Sequence, residues 1–402
     1  MRTGYVAEAD RLPLETLLGT DFAPTAVPRH APATLLVISV SAGAGHVRAA
    51  QAICAAANTA GRGTARHIDA MDHVLLGLRA IYTDVYLRIV ARHPLMWSWL
   101  YHKSNAAHAD SLWQRLRRAS ERWSAQRLLS EIEQAQPQAI VCTHFLPAEL
   151  LARMRREGRL ACPVWVQVTD FDLHRMWVHE GVDGYFAASE EIAYRMRAAG
   201  MAADAIRVTG IPVMPAFAQP LERAACAAEL GIDARRTTVL LMGGGAGLGR
   251  LDETAERLLQ AAPEIQMIAL AGRNADVLAA LRRLAARHPK RLVALGYTEH
   301  VERVMACSDL AITKPGGLST SECLAMGLPM ILTQPIPGQE ERNADYLLEQ
   351  GAALKTCDMA ALEFRLRQLL GHPAQLAEMR KRALSLARVH AAREVVDTVL
   401  PS

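Results

Sequence analysis

Thr238-Val-Leu-Leu-Met-Gly-Gly-Gly-Ala-Gly-Leu-Gly249 has an upstream counterpart in Thr34-Leu-Leu-Val-Ile-Ser-Val-Ser-Ala-Gly-Ala-Gly-His46. Each is a short apolar run that stops in glycines and passes at once into a helical pattern, which reads as strand, tight turn and helix start. Glycine leaves no Cβ between an anion and the unbonded backbone N–H groups of a helix start. Two such units predict two α/β halves, each able to hold a phosphate group.

Further strand-like runs follow in both halves. In the first they are Ala139–Thr143, Val164–Val168, Gly184–Ala188 and Ile206–Thr209; in the second, Gln266–Leu270, Arg291–Leu295, Leu310–Thr313 and Pro329–Thr333. Helical patterns separate them, so both sheets are expected to be parallel. Pro212, Pro215 and Pro220 interrupt any long element between the halves. The expected organisation is an irregular segment 1–32, an N-terminal domain 33–212, a hinge 213–221, a C-terminal domain 222–385 and a helix at 386–402 that packs back on the first domain.

At 402 residues the chain suits two domains with full cores, and 51% hydrophobic against 5% aromatic residues means that those cores are aliphatic. A net charge of +4, with arginines spread along the chain, argues against nucleic acid as a partner. The seven cysteines are scattered, with no Cys-x-x-Cys pair, and read as buried thiols of a reducing compartment. No basic start followed by an apolar run marks a signal peptide, and no apolar stretch is long enough to span a bilayer. The expected location is the cytoplasmic face of a membrane, held peripherally.

The candidate chemistry lies at strand ends. His46 closes the first glycine turn, at the carboxyl edge of a parallel sheet where open α/β folds bind ligands, and its imidazole takes a proton near neutral pH. His144, Asp170 and His174 also follow strands and are expected on the same rim. Scattered spacing disfavours a metal site. The first turn lacks the third glycine of the dinucleotide fingerprint, and the second lacks the Lys-Ser/Thr of a P-loop.

In Thr313-Lys-Pro-Gly-Gly-Leu-Ser-Thr-Ser-Glu322, Ser319 and Glu322 fit a capping box. Alternatively, Gly316, Gly317 and the hydroxyls face a diphosphate while Glu322 accepts from ribose. Pro335-Ile-Pro-Gly-Gln-Glu-Glu-Arg-Asn343 carries groups able to grip sugar hydroxyls, or is a solvated helix start. Trp97, Trp99, Trp113 and Trp123 lie among basic residues that include Arg117 and Arg118, a pattern suited either to docking on an anionic membrane or to packing with snorkelling arginines.

Together these segments resemble the monogalactosyldiacylglycerol synthases and processive diacylglycerol glucosyltransferases, members of glycosyltransferase family 28 with the GT-B fold. The resemblance runs from about Leu35 to Leu354. It includes Ser41-Ala-Gly-Ala-Gly-His46, the Tyr82–Tyr101 stretch, Val168-Thr-Asp-Phe-Asp-Leu-His174, Val208-Thr-Gly-Ile-Pro212, Lys314-Pro-Gly-Gly317 and Gly338-Gln-Glu-Glu-Arg-Asn343.

What it implies is inverting transfer of glucose or galactose from a UDP-hexose to the hydroxyl of diacylglycerol at a membrane surface. His46 is then base or phosphate-side stabiliser, with Gly45, His144, Asp170 and His174 on the acceptor side. Tyr297 and Thr298 lie beside uracil, Glu322 on ribose, Gly244, Gly245, Gly247, Gly317, Leu318 and Ser319 around the diphosphate, and Gln339, Glu340 and Asn343 towards the hexose. No metal or other cofactor is expected, because Asp170-Phe-Asp172 lies in the acceptor half. Alternatives keep the fold but change the acceptor to a polyprenyl intermediate or another hydrophobic alcohol, or make the chain a UDP-sugar epimerase or a non-catalytic binder.

Overall fold

A computed structural model describes residues 34–41, 43–61, 63–73, 126–243 and 250–400. The first half contains β1 (Leu35–Ser39), α1 (Ala44–Thr59), β2 (Ala65–Asp69), β3 (Ala139–Cys142), α2 (Phe145–Arg156), β4 (Val164–Gln167), β5 (Gly184–Ala187), α3 (Glu190–Ala198) and β6 (Ile206–Val208). The second runs through α4 (Arg223–Glu229), β7 (Thr238–Met242), α5 (Leu251–Ala261), β8 (Gln266–Leu270), α6 (Ala275–Arg287), β9 (Leu292–Leu295) and α7 (Val301–Ala306). It continues with β10 (Leu310–Thr313), α8 (Gly317–Ala325), β11 (Met330–Thr333), α9 (Gln339–Glu349), β12 (Ala353–Thr356), α10 (Met359–Gly371), α11 (Pro373–Ser385) and α12 (Ala391–Val399).

Among the described residues every strand pairing is parallel, for example Val37 with both His67 and Val141, and Leu240 with both Ile268 and Ala311. The sheet orders are β2-β1-β3-β4-β5-β6 and β12-β11-β10-β7-β8-β9. In each sheet the chain reverses direction of build beside its first strand, between β1 and β3 and between β7 and β10. A ligand crevice opens at such a switch point, beyond the carboxyl ends of the strands.

Leu35–Ile38 are wholly buried, as expected of a strand covered by helices on both faces, and β7 is buried along its length. Val395, Val396 and Val399 of α12 share a core with Ala50, Ile53 and Ala57 of α1, so the end of the chain lies on the first half. The proline segment forms a 3-10 turn at Pro215–Ala218.

Two strands, β2 and β12, were not legible in the sequence. Both are sheet edges, and their runs Ala-Arg-His-Ile-Asp and Ala-Leu-Lys-Thr are broken by polar residues that one-sided pairing tolerates. The cysteine reading also needs correction: five thiols are buried, but Cys162 is half-buried and Cys357 exposed. Among the described residues no helix is long and apolar enough to cross a membrane. Trp97, Trp99, Trp113, Arg117, Arg118 and Trp123, like Gly244, Gly245 and Gly247, lie outside the described residues.

Candidate active site

The turn after β1 and the loop after β4 meet the start of α8, which follows β10. The turn after β1 carries Gly45 and His46, and a Cβ built on Gly45 would stand 3.6 Å from Cβ of Leu318 on α8. Gly317 approaches the opposite loop so closely that an added Cβ would fall 2.1 Å from the carbonyl oxygen of Thr169. Here glycine is required by contact between the halves, since only a hydrogen fits.

The His46 ring is fixed through one nitrogen. Nδ1 lies 2.8 Å from the Thr143 carbonyl oxygen and 2.9 Å from Thr169 Oγ1, while Thr143 Oγ1 donates back to the His46 carbonyl at 2.9 Å. A carbonyl only accepts, so Nδ1 carries the proton and the basic lone pair of the neutral ring resides on Nε2. Burial lowers the basicity of His46; the Asp170 charge and the Thr143 carbonyl oppose that effect.

His144 packs edge-on against His46, with ring centroids 4.6 Å apart, and Trp177 sits 6.3 Å from both. Phe145 completes this aromatic wall at 5.8 Å from Trp177. His144 and His174 also have local duties. Their Nδ1 atoms accept from the N–H groups of Leu146 and Met176, capping α2 and the short turn Arg175–Trp177. Burial, reinforced by His46, drives the His144 pKa well below the ordinary histidine value.

Asp170, expected on the acceptor side, links the two halves. Its buried carboxylate accepts from Gln339 Nε2 at 2.8 Å to each oxygen and from Asn343 Nδ2 at 3.1 Å. Gln339 and Asn343, expected towards the hexose, thus reach across to the first half. Asn343 also donates to the Pro315 carbonyl at 3.1 Å and accepts from Phe171 N–H at 2.7 Å, while the Phe171 ring stacks on Tyr346 with centroids 4.5 Å apart.

The capping-box reading of Ser319 and Glu322 is overturned. Helix α8 begins earlier, with Gly316 as its N-cap and no side-chain cap. Thr320 Oγ1 and Ser321 Oγ donate back to helix carbonyls, leaving half-exposed Ser319 as the hydroxyl of that first turn. The backbone N–H groups of this turn, with the helix dipole, make an anion seat.

Glu322 is buried, 7% exposed. Burial pushes its carboxyl up to about 7, with the Arg48 charge opposing and Glu302 adding to the rise. A carboxyl raised in this way stabilises the fold while protonated, fully so below its ordinary value, and the contribution is lost as pH climbs through about 7. Glu322→Gln is therefore expected to flatten the loss of stability between pH 5 and 8, a gain on the order of 3 kcal/mol at the upper end. Denaturant titrations of both proteins at the two pH values measure it.

Around this carboxyl, Arg48 of α1 donates to the Glu299 carbonyl at 3.2 Å, a link between the halves that the sequence reading missed. Tyr297 is partly exposed, with the Arg273 guanidinium 4.4 Å over its ring, and Thr298 Oγ1 accepts from His300 N–H. Glu340 Oε2 accepts from Ile336 N–H at 2.7 Å, and burial raises its carboxyl despite that bond and the Lys314 charge.

Two facing doubly wound sheets with a glycine-lined cleft between them define the GT-B class. Solved structures agree on the fold: MurG of Acinetobacter baumannii is 16% identical, covers 92% of this chain and 99% of its own, and superposes with a TM-score of 0.57. A UDP-GlcNAc 2-epimerase from Neisseria meningitidis, bound to UDP-GlcNAc, is 13% identical over 92% and 99% of the two chains, with a TM-score of 0.58.

The family is more specific. Residues 46–213 match the monogalactosyldiacylglycerol synthase model, and residues 238–397 match the glycosyltransferase family 28 C-terminal domain. A processive diacylglycerol beta-glucosyltransferase of Bacillus pumilus is 30% identical over 68% of this chain and 71% of its own length, and that of Bacillus subtilis is 29% identical over the same shares. The chain belongs to this family of diacylglycerol-type glycosyltransferases, within glycosyltransferase family 28, and is an enzyme. The epimerase and non-catalytic readings fall with that membership.

Proposed function

We propose that the protein transfers a hexose from a UDP-sugar to the hydroxyl of diacylglycerol, with inversion, at a membrane surface. The observation that carries this reading is the meeting of the His46 turn with α8, which sets a fixed neutral imidazole opposite a helix start suited to a diphosphate. His46 Nε2 takes the proton of the acceptor hydroxyl as its oxygen bonds to the sugar C1; the bond from C1 to the β-phosphate oxygen breaks, and UDP leaves with its charge against the α8 N–H groups. Glu322 receives ribose hydroxyls, and Tyr297 and Thr298 flank the uracil. The wall of Phe145, His144 and Trp177 beside His46 suits the apolar shoulder of a lipid alcohol.

Support for the acceptor comes from the names of the relatives, which also carry glucose as the transferred sugar. The chemistry assigned to these residues needs no metal ion. The tryptophan and arginine segment is proposed to hold the enzyme on anionic lipid at the cytoplasmic face. The test supplies anionic liposomes containing diacylglycerol with UDP-glucose or UDP-galactose and analyses the lipids by mass spectrometry. A hexosyl diacylglycerol is expected; none from either donor, with UDP still bound, would overturn the acceptor.

A further inference from the structure

The start of α1, which carries the proposed base, lies against the start of α8. A Cβ on Gly45 would stand 3.6 Å from that of Leu318, and one helical turn further along each helix come Arg48 and Glu322. Arg48 is anchored: Nη2 donates to the Glu299 carbonyl at 3.2 Å and Nη1 to Gln51 Oε1 at 3.4 Å. Glu299 follows Tyr297 and Thr298, the residues assigned to uracil, and Glu322 is the residue assigned to ribose. A cation of the first half thus stands among the nucleoside groups of the second.

We propose that Arg48 is a positioning residue of the donor site, lent by the first half across the cleft to keep Glu322 the carboxylate that takes the ribose hydroxyls. The proposal rests on the placing of ribose at Glu322 and goes beyond it. Nucleotide affinity becomes a property of both halves together, set in part by a residue on the same helix as His46.

A carboxylate accepts from hydroxyls more strongly than a neutral carboxyl does, but burial favours the neutral form. At Glu322 the Arg48 charge opposes burial, whereas the Glu302 carboxyl of α7 adds to it. The other neighbours are the Cys323 thiol, which burial keeps protonated, and His300, whose Nδ1 lies 3.2 Å from Glu302 Oε1. Among the described residues Arg48 is the cation that acts on Glu322. Its loss leaves the carboxyl protonated to a higher pH. The ionised form, and with it the full nucleotide affinity, is present above the carboxyl midpoint and is lost as pH falls through it.

The test measures by calorimetry the affinity of the intact protein for UDP and for 2′,3′-dideoxy-UDP, between about pH 6 and 9, in wild type, Arg48→Met and Arg48→Lys. Titration of UDP itself is common to all three and cancels in the ratios. Arg48→Met is expected to bind UDP about fivefold more weakly at pH 7, the effect of moving the carboxyl midpoint up by about one pH unit, and nearly as tightly as wild type by pH 9. Arg48→Lys keeps the charge and should follow wild type. The dideoxy analogue has no ribose hydroxyls and should show no such pH-dependent difference, nor should UDP when Arg48→Met is made in Glu322→Gln. A ratio of wild-type to Arg48→Met affinity that is the same at every pH would overturn the proposal, because a merely structural loss does not follow the carboxyl. Equal wild-type affinities for UDP and the dideoxy analogue would instead overturn ribose at Glu322, and absence of UDP binding would overturn the donor reading itself.

Discussion

Replacement of His46 by alanine is expected to lower turnover by about 10²–10⁴-fold, the range for loss of a positioned general base, with UDP affinity little changed. The asymmetry follows from location. His46 belongs to the first half, tied to Thr143 and Thr169, whereas the groups assigned to UDP stand on α8 and the loops of the second. His46→Asn separates base from scaffold, because its amide can still donate to the Thr143 carbonyl yet has no basic nitrogen. Both variants should be equally inactive.

The pH profile sharpens this prediction. Burial depresses the His46 pKa from its ordinary 6.5, so the neutral ring predominates at and above that value and the acid limb of wild-type kcat/KM lies below it. That limb should be absent from the residual rate of either variant. Turnover retained in His46→Ala would remove the base role, and lost UDP binding would mean that the residue acts on the phosphate side.

Much of this arrangement was legible before any coordinates, for an identifiable reason. Strands buried on both faces must be continuously apolar, so β1, β7, β8 and β10 announce themselves, and glycine turns at their ends mark where ligands approach. Edge strands such as β2 and β12 escape because one side is unpaired and polar residues break the pattern. The site divides in the same way. His46 was legible because it closes a turn, and the His144 and Asp170 positions because they follow strands. The partners that fix them were not: Thr169, Trp177 and Arg48 acquire their roles from residues distant in sequence, and no local pattern signals a threonine that will meet a histidine ring. Ser319 and Glu322 misled because the capping spacing is real, yet Gly316 begins the helix first. Gln339 and Asn343 lie on a helix start whose amides read as sugar ligands; that they face Asp170 is a property of how the halves close.

Gly317→Ala sets local and global physics against each other. On helix propensity alone the substitution is favourable, by roughly 1 kcal/mol in a helix interior and less at a first turn, and it leaves the N–H groups of the diphosphate seat in place. A Cβ at this position would nevertheless stand 2.1 Å from the Thr169 carbonyl oxygen, 3.1 Å from its carbon and 3.2 Å from Cδ1 of Ile211. A backbone carbonyl cannot step aside as a flexible side chain does, so the halves must part at this point. The separation reaches the chemistry directly, because Thr169 contacts His46 and is followed by Asp170. A displacement of about 1 Å between reacting groups costs on the order of 10²-fold in rate. Gly317→Ala is therefore expected to lose about two decades of turnover while the second half keeps its UDP affinity, and thermal melting should show no gain in stability. Small-angle scattering would register the wider cleft. Wild-type turnover in Gly317→Ala would mean that the cleft works in a more open state, and the cross-domain contacts through Thr169 and Asp170 would then belong to the resting enzyme alone.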